Sequence, residues 1–245
     1  MKLNDGEAGE MTLRSASGSP LARYLATAWE RTVASLQALP EQCEPIAEID
    51  DIYRRLIICA SDGAEQVAGG MLVRTHGSIL GAASMALSGQ SAESYALMRN
   101  ALRSALRGLF LASDLERQQI WLNRHDSDLA EEQMRETFTS GTMLRHLKDV
   151  DSATAGIYQR LHQRTIDRGY HSTVHGRRFV EEASHPDEAD FENAYLVIGD
   201  EMQKLTLRTL AQVGICTLSI FYYVYSPHYR QCGFDVRLTE LRHGH

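Results

Sequence analysis

Residues 94–112 read SYALMRNALRSALRGLFLA, and this stretch decides the fold. Tyr95, Met98, Ala101, Leu102, Ala105, Leu106, Leu109 and Phe110 recur at three- and four-residue intervals, which puts them on one stripe of an α-helix. The surrounding sequence allows more of the same. No proline occurs in the 140 residues between Pro45 and Pro186. Because proline costs about 3 kcal/mol in a helix interior, that gap permits a long succession of helices. The chain therefore reads as all-α: a multi-helix, bundle-like single domain over residues 19–245, behind a flexible N-terminal segment, residues 1–18, rich in Gly, Ser and Glu.

Working outward, Ser19 is an N-cap and Pro20 a first helical residue, with Pro40 expected to close that helix. Leu21, Leu25, Ala28, Trp29, Val33, Leu36 and Leu39 share a stripe of it. Further helices are predicted over 46–60, 64–87, 115–122, 130–147, 152–168, 191–225 and 235–242. The glycines at 69, 70, 77 and 81 lack the GxGxxG spacing and a preceding strand, so they read as points of close helix approach.

With 245 residues and 43% hydrophobic content, the chain can bury a substantial core. A net charge of −7 argues against binding nucleic acid or anionic membrane with the whole surface, but allows a local basic site. Cys43, Cys59, Cys216 and Cys232 form no CxxC pair and read as reduced thiols of a cytoplasmic protein. The uncharged run 209–225 falls short of the roughly 20 apolar residues a membrane span needs, so it reads as a buried core helix with no membrane role. Tyr222, Tyr223, Tyr225 and Tyr229 cluster near the C-terminus and suggest a dimer contact.

Chemistry concentrates in two places. Arg99, Arg103 and Arg107 recur every four residues along one edge of the 94–112 helix. Five arginines, Arg160, Arg164, Arg168, Arg177 and Arg178, then crowd 160–178 with His162, His171 and His175. A loop is expected over 169–176. His171 and His175 have HxxxH spacing, and Glu182 or His185 could complete a metal set. Ser172 stands where HExxH needs its acid, and the arginines oppose a dication, so neither a metal nor a cofactor is assigned.

An all-helical chain of this length, with arginines on a central helix and an Arg-His pair before a late helix, resembles the HEPN superfamily. Its active members carry Arg, four to six residues, then His. Arg164 to His171, Arg168 to His175, Arg178 to His185 and Arg237 to His243 all fit that spacing. The resemblance implies an RNA- or nucleotide-directed protein, usually a homodimer, that cleaves RNA without metal. His171 would then serve as general acid or base, and Arg164 or Arg168 would stabilise transition-state charge. Arg99, Arg103, Arg107, Arg168 and His175 are the expected anion-binding residues. The alternative is a non-catalytic ligand-binding or interaction scaffold, with the arginine edge locked internally to Glu93, Asp114, Glu116, Asp200 or the acidic stretch 181–192.

Overall fold

A computed structural model describes residues 19–60, 66–170, 196 and 200–244. Among them are ten helices and no strand: α1 Pro20–Ala38, α2 Pro40–Ala60, α3 Gln66–Leu87, α4 Ser91–Ala112, α5 Leu115–Leu122, α6 Asp128–Thr137, α7 Ser140–Val150, α8 Ser152–Tyr170, α9 Asp200–Cys232 and α10 Phe234–Gly244. The expected N-terminal segment 1–18 and the loop residues 171–176 lie outside the described residues.

α4 and α9 are the two central helices. α4 packs on α3, α7, α8 and α9, while α9 also crosses α2, α3 and α8 and carries α10. All eight residues of the α4 stripe are buried, because each faces one of these neighbours. α3 and α4 form an antiparallel hairpin closed by Gly89, whose φ of 92° suits a residue without Cβ. Gln90 N–H donates to Met85 O at 2.8 Å, capping the end of α3. Further along, Ser94 Oγ donates to Ala82 O and Asn100 Nδ2 to Ser78 Oγ, each at 2.8 Å. Of the four α3 glycines, Gly81 serves the expected close approach: a Cβ there would sit 3.2 Å from Leu97 Cδ1. Gly70 and Gly77 face nothing within 4 Å.

Ser19 caps α1 as expected, its Oγ accepting from Ala22 N at 3.1 Å. The face of α1 turned inward, however, carries Ala28, Thr32 and Ser35. The bulky half of the predicted stripe points out, with Leu21 66% and Trp29 63% exposed.

Several boundaries differ from expectation. Pro40 does not end the helical run: it opens α2, where its missing N–H is one of the unpaired first-turn donors anyway. α2 continues through Pro45 at the loss of one backbone bond. The single helix expected over 130–147 is two, α6 and α7. Thr139 caps the second by accepting from Thr142 N at 3.1 Å, and buried Phe138 anchors the corner. α9 runs past Tyr225 to Cys232, bent where Tyr225 (φ −117°, ψ 28°) leaves helical geometry ahead of Pro227.

Of the four clustered tyrosines, Tyr225 and Tyr229 lie inside the core, 1% and 0% exposed, while Tyr223 is 41% exposed. Tyr229 donates back to Leu218 O at 2.8 Å, and Tyr223 donates to Asp151 Oδ2 at 2.9 Å. Glu201–Cys232 is long and apolar enough to cross a membrane, but 78% of its most apolar window is buried against other helices, as in a core helix.

Candidate functional site: a basic edge along α4

α8 lies beside α4 and α9 and shows each a different stripe. Tyr158, His162, Thr165 and Gly169, at four-, three- and four-residue spacing, face α4; a Cβ on Gly169 would lie 3.9 Å from Tyr95 Cβ. Tyr158 and His162 stack with centroids 5.7 Å apart and planes 13° from parallel. The neighbouring stripe, Ile157, Leu161 and Arg164, faces α9, where Arg164 Nη1 donates to Gln212 Oε1 at 2.7 Å.

The α4 edge sits against the first of these stripes. Arg99 and Arg103 are close enough to His162 to depress its pKa, after burial, which is the larger cause. Arg107 lies over the Trp121 ring with Cζ 4.9 Å from the centroid, and Arg124 covers the same ring at 4.3 Å. Arg107 Nε is buried with no hydrogen-bond partner among the described residues. Burial lowers its pKa, and the like charges of Arg103, Arg74 and Arg124 lower it further.

Arg74, Arg103 and Arg124 therefore lie near Arg107, and Arg99 and Arg103 near the His162 imidazole. Among the described residues none of Arg74, Arg99, Arg103, Arg107 or Arg124 is ion-paired. The internal lock to Asp114 does not form: that carboxylate caps α5 by accepting from Glu116 N at 2.8 Å, and its ion pair is with Arg117, 3.6 Å away. Glu93 and Glu116 are exposed and hold none of these arginines. Such a cluster can engage several oxyanions at once, since a guanidinium offers a planar fork of donors to phosphate or carboxylate oxygens.

Other expected site residues are distributed differently. Arg164 turns into the α8–α9 face. Arg168, half-buried in the last turn of α8, makes no hydrogen bond or ion pair to a described residue. His171 and His175, with the Arg178–His185 match, lie outside the described residues. The remaining match is tethered: Arg237 donates to Glu48 and, at 2.9 Å, to Asp51 Oδ2, fastening α10 to α2. Its partner His243 contacts Thr239 O at 2.9 Å within α10. No group of three or more His, Cys, Asp or Glu among the described residues could hold a metal ion.

Arg74, Trp121, Arg124, Tyr158 and His162 were not singled out as site residues. Their signal is only spatial, because the fold brings them to α4 from separate helices and a turn. No family model, curated protein or solved structure matches this chain.

Proposed function

We propose that this chain is an RNA- or nucleotide-directed protein, and that the α4 edge of Arg99, Arg103 and Arg107, extended by Arg74 and Arg124, is its phosphate-binding surface. The observation that carries this is the presence, in a chain of net charge −7, of five arginines that make no ion pair among the described residues. Like charges held together cost free energy, and a polyanion relieves that cost. Trp121, with Arg107 and Arg124 over its ring, adds an aromatic group beside the charges. The HEPN resemblance implies a metal-independent cleavage centred on His171 with Arg164 or Arg168, in a cytoplasmic homodimer. A non-catalytic binder is the simpler form of the same proposal, favoured by Arg164 being engaged with Gln212.

The test is a fluorescently labelled single-stranded RNA incubated with the protein in EDTA and followed by gel retardation and product analysis. Retardation that R103A weakens supports the binding surface. Cleavage that H171A abolishes supports the HEPN-like activity. Neither retardation nor cleavage overturns the proposal.

A further inference from the structure

We propose that a second site, the cavity between α8, α9 and α10, binds a small amphipathic anion: an oxyanionic head held by arginines and an apolar body lying on the helix faces beneath. The cavity encloses about 340 Å³, within the range of small-molecule pockets. Among the described residues its charged lining is three arginines, Arg160 and Arg164 from α8 and Arg242 from α10, with no Asp or Glu.

Arg164 is fixed rather than free. Its bond to Gln212 at 2.7 Å orients the guanidinium while leaving donors for a ligand. The walls are Ile157, Leu161 and Ile215. The polar groups among them are already satisfied or neutral. Thr154 Oγ1 donates to Asp151 Oδ2 at 2.6 Å, and Ser219 Oγ donates to Ile215 O at 2.7 Å. The Cys216 thiol, its pKa pushed up to about 12 by burial, carries no charge at neutral pH. A wholly polar anion would leave these walls wet, and an uncharged apolar molecule would leave the donors of three guanidiniums unused. A carboxylate or phosphate monoester on a short aliphatic chain matches both halves.

Isothermal titration calorimetry with octanoate, octyl phosphate and octanol tests this, alongside hexanoate and decanoate. At least one of the two charged octyl probes is expected to bind, the tighter of them naming the head group, with octanol at least tenfold weaker. Each added methylene should tighten binding, by up to about fourfold while the cavity fills. R160A and R242A, both at exposed positions, should each weaken the charged probe severalfold while leaving the fold intact. The proposal is overturned if neither charged probe binds, if octanol binds as tightly, or if both arginine variants bind like wild type. R103A, on the α4 edge, should leave this binding unchanged, so the two sites fail or survive separately.

Discussion

Arg107 covers the indole of Trp121 at 4.9 Å while its buried Nε finds no hydrogen-bond acceptor among the described residues. A stacked guanidinium gains cation–π attraction of about 0.5–2 kcal/mol, yet here it also bears desolvation and the repulsion of three other arginines. Replacing it with an apolar side chain of similar reach keeps the packing on Trp121 and removes the repulsion. R107M is therefore expected to melt at the same temperature as wild type or higher, while binding RNA severalfold more weakly. Thermal denaturation and RNA titration of the same preparation check this. A clear loss of stability would mean that Arg107 is a structural residue.

His162 supplies a pH dependence. Burial first, and then Arg103 and Arg99, hold its pKa below the usual 6.5. Between pH 6.5 and that lowered value the unfolded chain binds a proton that the folded chain refuses, so stability falls as pH drops through this window. H162Q should remove part of the decline measured by urea unfolding at pH 7.5 and 5.5. The remainder includes His146, whose pKa is lowered by burial and Arg117 in the same sense. RNA without a terminal phosphate should act oppositely. Its phosphodiesters favour the protonated imidazole, so affinity rises from pH 7.5 to 5.5 in wild type and less in H162Q.

The central crossings depend on two helical glycines. A Cβ on Gly108 would lie 2.8 Å from Phe221 Cε1 and 3.1 Å from Met71 Cβ, and one on Gly214 would lie 2.8 Å from Ile49 Cδ1. Overpacking of this kind costs about 1–3 kcal/mol, offset by the roughly 1 kcal/mol that alanine gains over glycine in a helix. G108A and G214A should each lower stability by up to about 2 kcal/mol. In the double variant I49A/G214A the loss should be less than the sum of the two single losses, which chemical denaturation can measure.

Cys59 Sγ and Cys232 Sγ stand 3.9 Å apart and are not disulfide-bonded. The fold thus joins the end of α2 to the end of α9, 173 positions apart in sequence. Mild oxidation with diamide should link the two thiols within one chain, giving faster migration on a non-reducing gel, and C232S should abolish the change. Closing so long a loop raises stability by at most about 5 kcal/mol. A product that runs as a dimer would show that a different thiol pair reacts first.

How much of this was legible beforehand depends on where each signal lies. The α4 stripe was, because one helix buried on several sides leaves its period in consecutive residues. The Arg99–Arg103–Arg107 edge was legible for the same reason. α1 was not: Trp29 and Leu21 carry the apolar period but stay exposed, while small Ala28 and Ser35 meet the core. Pro40 misled because proline marks a helix start as well as its end. Trp121, Arg124 and His162 come to the basic edge through tertiary packing, which leaves no trace in local spacing. Arg237–His243 matched a short pattern, yet Arg237 is held by Glu48 and Asp51.

The most direct test of the α4 surface is the salt dependence of RNA binding, followed by fluorescence anisotropy with wild type and the variant R99A/R103A/R107M. If about three phosphates are neutralised there, the logarithm of the wild-type binding constant should fall against the logarithm of salt with a slope of about −2. The variant, which keeps Arg74 and Arg124, should bind more weakly with a clearly shallower slope. Equal affinity and equal slope for the two proteins would contradict the assignment.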